Sequence, residues 1–532
     1  MTNISYKTKF IYAAIGFICT SPLITGCTKN FEKWNTDKYA ASNTALLQGV
    51  GTSQLEIFHD YQTGINLAED SWSGYLMSPT IGNFNSGKNN LNYSFAPNWQ
   101  NSSFNPAYRY VMADFNALYT KGLKSLFPEV YAITRLTEVT AIARVTDRFG
   151  SIPYSQVDGT VRSSYTYDAQ KDVYSLMFLK IDTALSLLKD FIQTNSGIKS
   201  QVGNNDFVYG GDCTKWIKYA NTLRLRLAMH IVKADAATAK LQGEKALADA
   251  GGLLTDASDA AKIKIYSGWN GGTNDYNLVA GWGDTRANAA IITYMNGYND
   301  PRISKYFLPA TDSSVLNQYI GLRIGGIINH DIGVGYSNLN VNGAFSQTSP
   351  QLIMSAAEAW FLKAEAALRE WNSAGNIQAD YEQGIAVSMN EWGASIGNYL
   401  SNDTGKETSY TDPNGEVNNS PALSTITIKW DDAATKEQKL ERIITQKWIA
   451  MFPDGADAWA DYRRTGYPLL FPVVVNNSGG TIDTDIQIRR IPYPSDQIRD
   501  NKEAVDAAVQ NTLGGNDDGG QRVWWDVNKT NF

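Results

Sequence analysis

Histidine and cysteine are scarce in this chain: three of each in 532 residues. His59, His230 and His330 lack any metal-binding spacing such as H-E-x-x-H, so a histidine-based metal centre is not expected. No G-x-S-x-G elbow occurs, which leaves a serine triad unsupported. Gly82 to Lys88 spells G-x4-G-K, but Asn89 stands where a phosphate loop needs Ser or Thr to hold Mg²⁺, and no strand pattern precedes it. Positive charge is not in surplus either. The formal net charge is -7 and basic residues form no patch, which argues against a nucleic-acid ligand. Acid pairs such as Glu69-Asp70 could serve a glycosidase, yet with 53 acidic residues such pairs arise by chance, and no enzyme is expected. Asn516-Asp517-Asp518, in a Gly-rich stretch, offers weak Ca²⁺ ligands, with a solvated loop as the favoured reading. No resident cofactor or metal is expected.

Beyond the first residues there is no run of about 18 apolar residues, the length needed to cross a bilayer. The start is different. Lys7 and Lys9 precede the apolar stretch Ile11 to Cys19, which has the length of a secretory signal and is too short to span. Leu23-Ile24-Thr25-Gly26-Cys27 follows, small residues leading into a cysteine, as a lipoprotein signal peptidase requires. Residues 1–26 therefore read as a signal peptide and Cys27 as the site of a thioether-linked diacylglycerol with an amide-linked third acyl chain. Each buried CH₂ contributes roughly 0.8 kcal/mol, so such an anchor holds firmly. With Cys19 cleaved and Cys27 blocked, Cys213 has no partner, and the core alone must stabilise the fold. Losing Lys7 and Lys9 takes 46 basic residues to 44 against 53 acidic ones, a net charge near -9.

What is abundant is aromatic surface, 12% of residues including 14 Trp and 29 Tyr, set among helical patterns. A polar tether (27–42) leads into a single domain (43–532). Apolar residues recur at helical spacing over Leu46 to Leu67, Leu126 to Arg148, Val173 to Ile192, Trp216 to Val232 and Ala236 to Ala250. The clearest pair is Leu352 to Trp371 and Ile377 to Trp392, joined at Ser373-Ala374-Gly375-Asn376. Its small residues (Ala359, Ala364, Ala366, Ala367) face large ones (Phe361, Tyr381, Met389), a degenerate tetratricopeptide-like packing. The expected fold is mainly α: tetratricopeptide-like helix pairs forming an α-solenoid scaffold, with a long irregular, loop-rich ligand-binding portion. Two loop stretches, about Ser71 to Asn105 and Tyr266 to Pro350, are rich in Gly, Asn, Ser, Tyr and Trp. Loops of this length in a compact domain are usually functional. Ser401 to Trp430 reads as a plain surface excursion.

The order of motifs resembles the SusD/RagB nutrient-binding lipoproteins of Bacteroidetes. Asn35-Thr36-Asp37 is similar to the family's start, with Lys38 in place of its proline. Gly210-Asp212, Trp216, Asn221 and Leu223 to Ala228 resemble its central helix, followed by Asp300-Pro301-Arg302 and by Glu358 with Phe361 to Ala366. Gln446 to Ala450, Trp459, Asp461, Arg463 to Pro468, Arg490 to Pro494 and Trp524-Trp525-Asp526 complete the set. The resemblance implies four tetratricopeptide-like helix pairs cradling an irregular binding portion. It also implies an outer-membrane, surface-exposed protein that captures glycan, or in the alternative oligopeptide, for a SusC-like TonB-dependent β-barrel.

Most of these motif residues read as structural; Trp459, Asp461, Arg463 and Arg464, for example, fit a buried Trp with a local ion pair. Ligand contacts are expected instead in the two aromatic loops. An indole matches the apolar face of a sugar ring at low entropic cost, while planar polar groups match its hydroxyl rim. The candidates are Trp72, Tyr75, Trp99 and Asn101 in the first loop, and Trp269, Tyr276, Trp282 and Arg286 in the second, with at least two platforms among Trp72, Trp99, Trp269 and Trp282.

Overall fold

The computed structural model describes residues 38–160, 162–266 and 272–532. The readings of Cys27, of residues 1–26 and of Trp269 fall outside them. The helix Lys38–Leu55 begins ahead of Ser42, where the tether was expected to end. Residues Gln48–Phe532 form one compact unit.

Three consecutive helix pairs carry the scaffold among the described residues: α1 (Pro128–Phe149) with α2 (Gln170–Thr194), α3 (Cys213–His230) with α4 (Ala236–Leu247), and α5 (Ala356–Leu368) with α6 (Ile377–Glu391); α7 (Lys436–Met451) packs chiefly on α5 and is followed by α8 (Gly455–Thr465). Local chemistry fixes their ends. Pro128 opens α1, where its missing N–H costs nothing. Asp212, Ser355 and Asn376 cap α3, α5 and α6, and Thr435 and Gln438 form a reciprocal capping box on α7. Small residues let the partners close. A Cβ at Gly384 of α6 would stand 2.9 Å from the Phe361 ring of α5, and one at Gly243 of α4 only 2.0 Å from the Trp371 ring. The large-against-small packing expected for the α5–α6 pair is thus present.

Charge, and not only hydrocarbon, joins the pairs. Arg226 of α3 donates to Glu358 of α5 through Nε at 2.8 Å and also pairs with Asp454 and with Asp457 of α8. Lys447 of α7 reaches Asp461 at 2.8 Å, and Arg464 clasps Glu365 through two bonds of 2.7 and 2.6 Å. The Arg463 guanidinium lies 3.5 Å from the Trp459 ring centroid and 4.7 Å from that of Trp525. All these groups are buried. Asp300 and Arg302, both fully buried, close a turn held further by Ser388. Asp517, in the loop considered for Ca²⁺, takes the Arg490 guanidinium at 2.5 Å and accepts from the Tyr493 N–H. No described helix is long and apolar enough to cross a membrane.

Two readings change. The periodicity over Leu46 to Leu67 does not continue as one helix. After Leu55 the chain passes through a 3₁₀ turn, Glu56–Phe58, takes a left-handed conformation at Asp60 (φ 55°) and re-forms as a π turn, Gln62–Asn66. The second aromatic loop also contains a helix, Ala289–Tyr298, capped by Asn288 and packed into the core, with Tyr294 against Trp448. Short strands are sparse: β1 (Leu76–Met77) pairs with β3 (Arg286–Ala287), and β2 (Ala261–Ile263) with β4 (Gln351–Met354), both antiparallel.

Candidate functional site

The β1–β3 pairing joins the two aromatic loops, placing Leu76 opposite Ala287 and Met77 opposite Arg286. Side chains extend the junction. Asn66 Nδ2 donates to Thr285 Oγ1 at 3.3 Å, and the Asp284 carboxylate accepts from Gln62 Nε2 at 2.5 Å and Thr80 Oγ1 at 3.3 Å. Burial raises the Asp284 pKa above the ordinary carboxylate value, with the two hydrogen bonds acting in the opposite direction. The π turn thus contacts both loops: Gln62 reaches Asp284, while Thr63 Oγ1 donates to Ser102 Oγ at 3.0 Å.

Beside this junction lies a cleft of about 270 Å³. One lip is the turn His59 to Thr63. The other is the helix Asp275–Gly281, which presents Leu278 and Val279 and ends at Trp282. Asn274 caps this helix through Tyr276 and Asn277 N–H groups, and Gly283 (φ 82°) turns the chain directly after the indole. Trp282 is 55% exposed, one of the few large apolar side chains left open to solvent. The His59 ring lies tilted by 31° against Tyr110 at 4.0 Å and sits 2.5 Å from a Glu56 oxygen; that hydrogen bond, against burial, raises its pKa. The cleft therefore joins one open aromatic face to a lip of imidazole, carboxylate, amide and hydroxyl groups.

The remaining candidates divide. Trp99 is half-buried, meets Phe84 edge-on at 5.7 Å and opens the helix Trp99–Pro106 that carries Ser102. Asn101 donates to Asp496 at 2.6 Å, and its carbonyl oxygen is buried without a protein partner. Four others are structural where they stand. Trp72, 2% exposed, donates to the Asn90 carbonyl at 3.1 Å and packs on Trp459 at 4.9 Å. Tyr75 stacks on Trp448 and donates to its carbonyl. Tyr276 is buried edge-on to Tyr61 at 4.9 Å. Arg286 donates through Nε to the Val334 carbonyl at 2.8 Å, and burial lowers its pKa to about 10. These groups lock the loops together and offer no ring face or fork to the Trp282 cleft. Among the described residues, the platform expectation narrows to Trp99 and Trp282. Sequence reasoning missed the lip residues His59, Asp60, Gln62 and Thr63, because they lie within an apparently continuous helical pattern. The Asp60 and Gly64 interruptions were the available signal.

The whole chain can be placed beside known proteins. The SusD-like family, described as Susd and RagB outer membrane lipoprotein, matches residues 26–526. The chain belongs to the SusD-like family. No curated relative matches it. Solved SusD-like structures are similar over nearly the full length. A chitin-binding SusD homolog from Flavobacterium johnsoniae shares 40% identity at a TM-score of 0.85, covering 91% of this chain and 100% of that one. A SusD-like protein from Bacteroides thetaiotaomicron shares 34% at 0.83, covering 90% and 98%. A SusD homolog from Bacteroides vulgatus shares 34% at 0.83, covering 91% and 98%. As a SusD-like protein the chain is an outer-membrane lipoprotein of the nutrient-binding, mainly helical type, and a binder in place of an enzyme. The acid pair considered for glycosidase chemistry is committed to the core: Glu69 is clasped by Arg148 and Asp70 accepts from the Tyr61 hydroxyl at 2.6 Å, both fully buried.

Proposed function

We propose that this SusD-like protein is a cell-surface lid that binds oligosaccharide on Trp282 and Trp99 and passes it to a SusC-like TonB-dependent barrel. The observation that carries the reading is the open Trp282 indole over a cleft edged by hydrogen-bonding side chains. That is the complement of a sugar ring, apolar on its face and polar at its rim. The similarity to a chitin-binding homolog makes β-linked N-acetylglucosamine oligomers the first ligand to try. Isothermal titration with chitohexaose is expected to show saturable binding that Trp282→Ala weakens roughly 10- to 100-fold, the range of a central aromatic contact. Equal affinity in Trp282→Ala and Trp99→Ala, or binding of oligopeptides and of no glycan, overturns it.

The tether is the second half of the proposal. A diacylated, N-acylated Cys27 would hold the lid beside one transporter, so that released ligand is recaptured at high effective concentration. Cys27→Ser is expected to shift the protein from the membrane to the soluble fraction and to abolish palmitate labelling; a labelled, membrane-bound variant would refute the anchor.

A further inference from the structure

Behind the Trp282 cleft lies a second and larger pocket of about 510 Å³, a size typical of sites for small molecules. The helix Asp275–Gly281 is a shared wall. Leu278 and Val279 line the cleft, whereas Tyr276 lines the pocket. The Tyr61–Tyr276 edge contact separates the two spaces. The opposite wall is the 340–350 loop, fastened to that helix by three bonds of 2.8 Å: Asn274 N–H to the Gln347 carbonyl, Asn274 Nδ2 to the Ser349 carbonyl and Asn277 Nδ2 to the Phe345 carbonyl.

Three features mark this pocket as a binding site. Trp392, half-buried, forms part of the wall with its ring propped by Tyr306 at 4.4 Å and Phe345 at 6.0 Å. Ser304 supplies a hydroxyl at the edge, and Asn340, whose Nδ2 donates to the Ser304 carbonyl at 2.8 Å, an amide oxygen. Two lysines also line it from separate elements: Lys262 from β2, in register with Leu352 of β4, and Lys305 from the helix Ile303–Tyr306. Neither lysine stands within 4 Å of a carboxylate among the described residues, although the Lys262 ammonium is near enough to act on the Glu391 carboxyl. Other half-buried lysines are engaged, Lys180, Lys218 and Lys363 by a carboxylate at 2.7–2.8 Å and Lys233 by the Arg464 carbonyl at 2.9 Å. The acid in the pocket wall, Glu391, is occupied. One of its oxygens accepts from the Ser355 hydroxyl at 2.8 Å and the other from the Ala357 N–H at 2.9 Å, where it caps α5. Burial pushes its pKa up to about 7, with these hydrogen bonds and the Lys262 ammonium acting in the opposite direction.

We propose that this pocket is a second saccharide site, selective for an acidic sugar unit whose carboxylate or sulfate ester is held by Lys262 and Lys305 while its ring face lies on Trp392. It uses none of the residues on which the Trp282 reading rests, so the two fail separately. The test is isothermal titration of trigalacturonate, a sulfated chondroitin disaccharide, chitotriose and sodium sulfate against the mature chain, Lys262→Met/Lys305→Met and Trp282→Ala. At least one acidic saccharide is expected to bind the wild type and Trp282→Ala equally. The double lysine variant should bind it about tenfold or more weakly, because a charge-assisted contact is lost at each site. Its melting temperature should be unchanged, since both lysines are surface-accessible. Carboxylate and sulfate donors are told apart by which saccharide binds. The proposal is overturned if neither acidic saccharide binds, if the double variant binds as the wild type does, if Trp282→Ala abolishes the binding, or if chitotriose or inorganic sulfate binds the pocket as tightly.

Discussion

Arg226→Met is expected to destabilise the protein by about 3–5 kcal/mol, the cost of removing one partner from a buried ion pair. The guanidinium serves three carboxylates, Glu358, Asp454 and Asp457, that come from α5, the turn before α8 and α8 itself. All three are buried. Asp454 keeps Arg144 at 3.0 Å, and Asp457 keeps His230 at 3.1 Å. Among the described residues Glu358 retains only Lys447 at 3.5 Å, and that ammonium is shared with Asp461. Methionine fills a similar volume, so the loss is electrostatic and not a cavity effect. Urea unfolding followed by circular dichroism measures it directly. A loss below about 1 kcal/mol, the worth of an exposed ion pair, would show that the network is screened by water and does not bind the helix pairs together.

This network explains why the scaffold was legible in sequence and the site was not. The helices declare themselves by caps, small residues and a 3.6-residue period, all of which are local properties. The motif residues Arg226, Glu358, Lys447, Asp461 and Arg464 mark the places where separate pairs meet. The cleft depends on which aromatic side chains fail to be buried, and local sequence does not encode that. Trp72 and Trp282 occur in similarly polar surroundings, yet one donates to Asn90 in the core while the other is displayed by Gly283. The lip was hidden for a related reason. A left-handed Asp60 breaks an apolar period that alone would continue to Leu67. The helix Ala289–Tyr298 was hidden by its neighbours, because its short apolar run sits inside a Gly- and Asn-rich stretch.

Thermal stability is expected to be highest in mildly acidic buffer and to fall as the pH is raised to about 9. His230 sits between Asp147 at 3.2 Å and Asp457 at 3.1 Å. Burial opposes its charge, but the two carboxylates outweigh burial and raise its pKa to about 9, above the usual 6.5. The folded state therefore holds this proton more tightly than the unfolded state does. Its contribution, on the order of 3 kcal/mol, is fully present below pH 6.5 and is lost as the pH climbs through 9. Glu391 and Glu407 act in the same direction at lower pH. Burial raises both to about 7, so folding favours their neutral forms and is penalised as each ionises between pH 4.5 and 7. Glu365 sets the acid limit. Arg464 and Arg369 overcome burial and hold it near 2, so its contribution is present above pH 4.5 and disappears only as the pH falls towards 2. Melting temperatures across this range should decline from about pH 5 upward. His230→Gln should flatten the segment between pH 6.5 and 9, because the glutamine can still donate to a carboxylate but releases no proton on unfolding. A wild-type profile that is level or rising over that segment, or an unaltered slope in the variant, would exclude His230 as the group that couples proton binding to the packing of α3 against α8.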